Sequence, residues 1–417
     1  MSTRLHYVNS ISGKLLPAAT SALLLILALG TTAPLHAQSD AQYAGKPQVG
    51  TYSLLYSFQC SPDGGVPYNG LIRDSSGDLY GTTYTQGEYG YGAVFKVTSS
   101  GTESVLHSFA GPPSDGSYPQ FGSLTLDGAG NVYGVTPFGG EFGYGTVFKV
   151  TAKGTESVLY NFTGGSDGRE PYGGLARDSN GNLYGTTVDG GTYGYGVVFK
   201  LTPGGTESVL HNFDLSTTDG AYPLGNFIRD SSGNLYSTTY EGGASFVGTV
   251  FEVTASGVES LLYSFKGDPV DGAGPYGGGL LRDSSGNLYG VTDAGGANGL
   301  GVVFKLTPGG TESLLRNFTG AGGANPFDGL ARDAAGNLYG TASLGGLGAG
   351  CPFEGCGVLF ELTTAGKEVV LHNFMLGSSS DGAVPYSGVT RDPSGNLYGT
   401  LEDGGAYGCG AIFKFTP

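Results

Sequence analysis

One short phrase, Gly-Asn-Leu-Tyr, recurs along this chain and limits its fold more than any other feature. It stands at Gly181, Gly233, Gly286, Gly336 and Gly395, with close variants at Gly77 (GDLY) and Gly130 (GNVY). The seven copies lie 53, 51, 52, 53, 50 and 59 residues apart. A fixed period of that length means repeated supersecondary units that bury their faces against one another. Periodicity also decides what the composition means. Gly (80) and Pro (20) among 417 residues approach the level of a low-complexity chain. Here the glycines fall at fixed places between short runs rich in Val, Leu, Phe and Tyr, which is the pattern of many short strands joined by tight turns.

The third unit shows the plan. Gly174 to Arg177 (GLAR) is a short apolar segment, Asp178 to Gly181 a turn, and Asn182 to Thr187 a second extended segment. A Gly-rich loop (DGGTYGY) leads into a third strand, Gly196 to Thr202. Pro203-Gly204-Gly205 then turns into a fourth, Glu207 to Phe213. Asp-x-x-Gly suits a type I turn, because Asp bonds the backbone two residues on and Gly takes the positive φ that closes it. No helical period interrupts this pattern. In GVVFKLT, Val197, Phe199 and Leu201 alternate with Val198, so both faces of the strand are apolar. Such a sheet must be covered on both sides. That predicts an all-β, seven-bladed β-propeller of four-stranded blades.

Strand counting predicts how the ring closes. Seven sets of the first three strands are present, but only six fourth strands follow them, and the chain stops at Pro417 just after a third strand. The missing strand lies at the other end, where Leu54 to Phe58 (LLYSF) repeats Leu261 to Phe265 letter for letter. The N-terminal strand is expected to complete the last blade and remove an open sheet edge.

The first 37 residues read as a secretory signal peptide: Arg4 and Lys14, an apolar run from Ala22 to Leu29, and a small-residue exit at Leu35-His36-Ala37. The run is too short to span a bilayer, and no later stretch does so. Residues 38–50 read as a short linker and 51–417 as the propeller. Removing the leader leaves 17 basic against 35 acidic side chains, a net charge of −18. That field repels phosphate backbones and anionic lipid, so neither nucleic acid nor a membrane surface is an expected partner. Nothing calls for an oligomer, and a monomer is expected.

Four cysteines in an exported chain point to disulfides. Cys351 and Cys356 flank a local insertion in the sixth unit. Cys60 follows the N-terminal strand and Cys409 opens the last third strand, so a Cys60–Cys409 bond would lock the ring. In the loop-closure view a cross-link over so long a span stabilises by about 4–5 kcal/mol.

The unit D-S-S-G-N-L-Y-G-T-T, with its Gly-rich loop, V-F-K-L-T strand and G-T-E-S-x-L-x-x-F strand, resembles the GloVer repeat of the choice-of-anchor tandem repeat GloVer-containing proteins. The resemblance runs from Thr51 to Pro417. It implies an exported bacterial repeat protein and carries no defined activity. Members often bear a C-terminal anchoring segment; ending at Pro417 without one points to a soluble secreted or periplasmic protein.

Candidate site residues follow from which loops share a face. The Gly-rich loops and the Asp-Gly connections into each blade emerge together. Their acids are Asp189, Glu241, Asp293 and Asp403, with the Asp-Gly residues Asp63, Asp115, Asp167, Asp219, Asp271 and Asp381. Their tyrosines are Tyr68, Tyr172, Tyr276 and Tyr386 after Pro, and Tyr91, Tyr144, Tyr195 and Tyr407 in the loops. Rings beside carboxylates suit glycan recognition, and oxygen clusters suit calcium; no other cofactor is expected. The three mature histidines, His107, His211 and His372, share one repeat position with Tyr56, Tyr160, Tyr263 and Arg316. A residue that exchanges with Tyr and Arg reads as scaffold, which leaves no histidine for a triad or zinc site. The expected function is therefore a non-catalytic interaction propeller for a glycan or extracytoplasmic protein. The alternatives are a carboxylate-based carbohydrate-active or metal-dependent enzyme at the channel, with Glu170 and Glu354 as non-repeat acids, and a structural envelope component.

Overall fold

Each unit folds alike because each carries the same turn. Asp178 Oδ1 accepts the backbone N–H of Asn180 and Asn182, both at 2.9 Å. Its Oδ2 takes Asn182 Nδ2 at 2.8 Å and the Tyr184 hydroxyl at 3.2 Å. The Asn and Tyr of the repeated phrase are thus partners of the preceding Asp, and the turn is welded to the second strand. The same carboxylate–tyrosine bond recurs from Asp74 to Tyr80, Asp127 to Tyr133, Asp230 to Tyr236, Asp283 to Tyr289, Asp333 to Tyr339 and Asp392 to Tyr398. Burial works to raise these carboxyls, but the donors more than offset it. All seven sit below the usual carboxylate range, Asp127 at about 2.

The computed structural model describes residues 50–277, 279–348, 350–351 and 355–417. The leader, nearly all of the linker and Glu354 lie outside them. In the third blade Ala176–Arg177, Leu183–Thr187, Val197–Leu201 and Glu207–Asn212 form one antiparallel sheet in chain order. Five more sheets repeat that order. The seventh joins Thr390–Arg391, Leu397–Leu401 and Ala411–Thr416 to the N-terminal strand Thr51–Ser57. The protein is a seven-bladed β-propeller of four-stranded blades, closed as expected by the first strand pairing Thr51 with Thr416 and Ser57 with Ala411. Among the described residues there is no helix, and hence none that could cross a membrane.

Blade-to-blade packing rests on a sevenfold aromatic seam. The Phe that ends each outer strand is buried and meets the Phe of the next blade's third strand. The pairs are Phe58–Phe95, Phe109–Phe148, Phe162–Phe199, Phe213–Phe251, Phe265–Phe304, Phe318–Phe360 and Phe374–Phe413, with centroids 5.0, 5.1, 5.2, 5.2, 5.1, 5.4 and 5.3 Å apart. These rings need the glycine of the Leu-Tyr-Gly strand. A Cβ on Gly185 would lie 2.6 Å from Phe199 Cζ and 2.8 Å from Leu175 Cδ2. The fourth blade has Ser237 there, and its Phe251 leans on Phe227 instead, 6.0 Å away.

Both disulfides form as the spacing led one to expect: Cys60–Cys409, 349 residues apart, and Cys351–Cys356, five apart. The first joins the residue after the N-terminal strand to the third strand of the last blade, beside the Phe58 N–H to Gly410 carbonyl bond of 3.0 Å.

Two outcomes follow. Cys60→Ser/Cys409→Ser should lower unfolding free energy by up to about 5 kcal/mol in denaturant titration, well beyond the effect of removing the short Cys351–Cys356 loop. Gly185→Ala should cost about 2 kcal/mol or more by overpacking the seam. Gly128→Ala, where an added Cβ meets nothing within 4 Å, should stay within about 0.5 kcal/mol.

Candidate functional site

The loop face is built on an irregular backbone that the sequence did not announce. The residue before the blade-entry proline has positive φ in every blade: Val66, Tyr118, Glu170, Tyr222, Gly274, Asn325 and Val384, at 60, 57, 56, 53, 58, 52 and 56°. Six of these are not glycine, and two are β-branched, for which such a φ is a true outlier. Each donates its N–H to the preceding loop, and all but Tyr118 also accept at the carbonyl. The Tyr118 N–H donates to the Tyr91 carbonyl at 2.8 Å, the Glu170 N–H to the Tyr144 carbonyl at 3.0 Å, and the Val188 N–H to the Glu170 carbonyl at 3.0 Å. The turn aims the following aromatic residue at the axis.

At the axis those rings form a closed collar. Tyr68, Phe121, Tyr276, Phe327 and Tyr386 meet in a cycle with centroids 5.6, 5.3, 5.2, 4.9 and 5.3 Å apart. The space left between them is too narrow for a water molecule and has Asp328 at its edge. Tyr172 is not in the collar: it is buried and packs on Phe121 and Phe138. Asp328 Oδ1 accepts the Gly329 and Gly279 N–H, and its Oδ2 the Gly388 N–H at 2.9 Å. Asn226 accepts the Gly174 N–H at 2.6 Å and the Ser123 N–H at 3.2 Å, and donates to the Gly277 carbonyl. Asp328 and Asn226 tie neighbouring blade entries together beside the collar. Burial raises the Asp328 carboxyl, against the pull of its three N–H donors.

A row of tyrosines leads from the rim to this collar. Tyr91 meets Tyr118 at 5.4 Å, Tyr118 meets Tyr84 at 5.3 Å, and Tyr84 meets Tyr68 at 5.3 Å. All four are half-buried. Tyr91 lies over Gly111 and Tyr144 over Gly164, seats that any Cβ would occupy. Tyr195 packs on Tyr222 at 5.7 Å. Outside them stands an exposed crown, Tyr89, Phe142, Tyr193, Phe246 and Tyr407, each 49–60 % exposed. Tyr407 thus belongs to the crown and not with Tyr91, Tyr144 and Tyr195, whose place in the last blade is taken by Cys409.

The predicted acids do not gather. Asp189 pairs with Arg169 at 3.2 Å. Glu241 and Asp403 sit in short rim ribbons, Gly220–Ala221 with Glu241–Gly242 and Gly382–Ala383 with Asp403–Gly404. Glu402, beside Asp403, accepts the Tyr68 hydroxyl at 3.0 Å. Asp293 differs from the rest. Its Oδ1 is buried without a hydrogen-bond partner, and burial pushes the carboxyl up to about 8. A Cβ on Gly274 would lie 2.6 Å from that oxygen and 2.9 Å from the Tyr240 ring. The Asp-Gly residues, expected on the loop face, turn inward. Asp63, Asp115, Asp167, Asp219, Asp271 and Asp381 are all buried, each bonded to the Tyr or His of its own outer strand. Among the described residues the groupings able to ligate a metal are His107–Asp115–Glu156 and His211–Asp219–Glu259, each spanning two neighbouring outer strands and the connection after the first.

The residues missed from sequence are Phe121, Phe327, Tyr84, Tyr118, Asn226 and Asp328. Comparing units column by column would have flagged the last two, since Asp328 stands where other units carry Asn, Gly or Ser, and Asn226 where they carry Gly or Ser.

Fold and face together define the class: a seven-bladed repeat propeller with a ring-sealed axis and an aromatic loop face. The chain belongs to the Gloeobacter/Verrucomicrobia repeat family, whose profile matches residues 30–251 and 224–417. No curated protein matches it. Among solved structures it is similar to the extracellular domain of a hybrid two component system from B. thetaiotaomicron. That match has 14 % identity and a TM-score of 0.51, and covers 88 % of this chain and 41 % of that one. It is also similar to the extracellular domain of a one component system from the same organism, at 10 % identity and a TM-score of 0.54, covering 85 % and 39 %. The chain thus spans about two fifths of those proteins, and the likeness is one of fold. A gluconolactonase from Xanthomonas campestris aligns at 16 % identity over 72 % of this chain and 88 % of its own, with a TM-score of 0.43, too low to bear on activity.

Removing crown rings should leave the scaffold untouched. Tyr193→Ser and Tyr407→Ser should each change unfolding free energy by less than about 0.5 kcal/mol. Tyr172→Ser, in the buried second layer, should cost about 3 kcal/mol or more.

Proposed function

We propose that this is an exported, non-catalytic interaction propeller whose loop face holds an extended carbohydrate. The observation that carries the reading is the tyrosine row Tyr91, Tyr118, Tyr84 and Tyr68, half-buried and running from rim to axis. Such rings offer apolar edges and faces to a sugar while their hydroxyls hydrogen-bond its oxygens. The exposed crown adds contact area outside the row; exposed apolar residues gathered on one face mark interaction surfaces. The sealed collar directs a ligand across the face, not through the ring. Export is supported by the leader-like residues 1–37 and by two disulfides, which persist in oxidising compartments. The acidic charge keeps the face from nucleic acid.

One observation favours catalysis as a second reading. A carboxyl held protonated to about pH 8, as at Asp293, can act as a general acid at neutral pH. Glycoside cleavage needs a second carboxylate across the bond, and the other loop-face acids are engaged at the rim or with Arg169.

The test is a polysaccharide panel with the mature chain, with calcium and with a chelator, scoring retention and released sugar. Retention without release is expected, unchanged by chelation, and weakened about tenfold by Tyr84→Ala or Tyr91→Ala, the size of one or two ring contacts. Sugar release abolished by Asp293→Asn would replace this reading with the catalytic one. Silence across the panel would leave the structural role.

A further inference from the structure

A second repeated constellation lies between the blades, and what it does is independent of what the tyrosine row binds. At each seam the outer strand of one blade offers a Tyr or His. The connection that follows offers its buried Asp, and the next blade's outer strand offers the Glu of Thr-Glu-Ser. His107 Nε2 bonds Asp115 at 2.9 Å, with Glu156 completing a group whose ligating atoms lie within 4.8 Å of one another. His211, Asp219 and Glu259 repeat it. Tyr56 with Asp63, Tyr160 with Asp167, and Tyr263 with Asp271 repeat the outer-strand bond, and the charge of each Asp bears on Glu103, Glu207 and Glu312 of the next blade.

Two seams depart from the pattern, and each departs in compensating pairs. Where Gly322 replaces the Asp, Arg316 replaces the Tyr or His and pairs with Glu368 at 2.6 Å. A Cβ on Gly322 would touch both side chains. Where Tyr52 replaces the Glu, its ring stacks on His372 at 3.7 Å while His372 keeps its bond to Asp381 at 2.9 Å. A Glu is thus retained either beside a cation or beside an Asp, and only the second case sets two carboxyls against each other.

Those five glutamates share one more feature. Oε1 of Glu103, Glu156, Glu207, Glu259 and Glu312 is buried without a hydrogen-bond partner. The facing Asp oxygens are already accepting: Asp115 takes the His107 ring and the N–H groups of Ala110 and Gly116. A buried carboxyl oxygen with no donor, beside a second carboxylate, is favoured in its protonated form.

We propose that these five seam pockets are proton-binding sites, each Glu holding a proton as a neutral acid against its Asp, so that the ring tightens in acid and loosens as pH rises through neutrality. Three of the five pockets have Tyr in place of His and so lack a third metal ligand; at the two with His a metal would have to displace the proton of the His–Asp hydrogen bond.

The titration agrees in direction. Burial, then the facing Asp, pushes Glu103, Glu207 and Glu312 up to about 7, with Lys266 opposing at the last. Glu156 and Glu259 also reach about 7. Asp115 adds to burial at the first while His107 opposes. Asp219 and Asp214 add to it at the second while His211 opposes. A folded pKa above the unfolded one gives stability that is complete below about pH 4.5 and lost as pH climbs through about 7. The turn aspartates, lowered in the fold, act in a separate window below about pH 4. His211 adds a loss of the same sign as the glutamates' that begins higher, from about pH 6.5: burial lowers it, but Asp219, Glu259 and Asp214 carry it upward. Asp293 and Asp328 share the direction and lie at the loop face and axis. The glutamate variants separate these contributions.

The experiment measures melting temperature from pH 4.5 to 8.5 for the mature protein and for the variant with all five glutamates changed to Gln. The wild type should lose stability as pH rises from 5 to 8, and the variant should lose most of that slope and exceed the wild type at pH 8. If the fivefold variant does not fold, Glu156→Gln and Glu207→Gln alone should each remove about a fifth of the slope. Infrared spectra of the folded wild type should show protonated-carboxyl C=O bands at pH 6 that fade by pH 8.5 and weaken in each single variant. A wild type without slope in this window, a slope that survives in the variants, or spectra without a protonated carboxyl at pH 6 would overturn the proposal.

Discussion

The structure depends on the seam between one blade and the next. A four-stranded sheet of about fifty residues has two apolar faces and cannot stand alone. Each seam answers this with an inner contact, Phe on Phe across a strand that glycine keeps bare in all blades but one, and an outer polar one, in five of the seven a Tyr or His on Asp with a Glu from the neighbour. The ring is stable because all seven seams are made at once, and the seventh is made by the first strand of the chain. The Cys60–Cys409 bond reinforces the one junction where chain continuity is missing.

That architecture leaves the loop face free to vary. The positive-φ residue before each proline is held by backbone bonds, so its side chain is unconstrained: Val, Tyr, Glu, Gly or Asn all occur. The same freedom explains why the tyrosine row exists at one place. Tyr84 and Tyr118 fall at varying positions of adjacent units, and only their placement side by side makes a continuous path from Tyr91 to the collar. A sevenfold scaffold thereby carries a one-sided site.

Much of this was legible in the chain. The repeated phrase, the strand count and the match of Leu54 to Phe58 with Leu261 to Phe265 predicted the blade number and the closure, and the cysteine positions predicted the ring-locking disulfide. The candidate site was legible in part. Tyr68, Tyr276 and Tyr386 lie in the collar, whereas Tyr172 is buried in a second layer against Phe121 and Phe138. The Asp-Gly residues were read as loop-face acids. Their carboxyls instead turn into the seams, since a buried Tyr or His on the same blade supplies the donor they need.

Sequence by itself determined what is periodic: strands, turns, blade number and the pairs that recur in every unit, because periodicity multiplies a weak local signal sevenfold. Only the tertiary structure decided what is singular. Asp328, Asn226, the Tyr91–Tyr68 row and the isolated Asp293 depart from the repeat, and no local pattern says what each of them meets. Closing the ring decides it, setting Tyr68 against Tyr386, although they lie hundreds of positions apart, and Asp328 beside both.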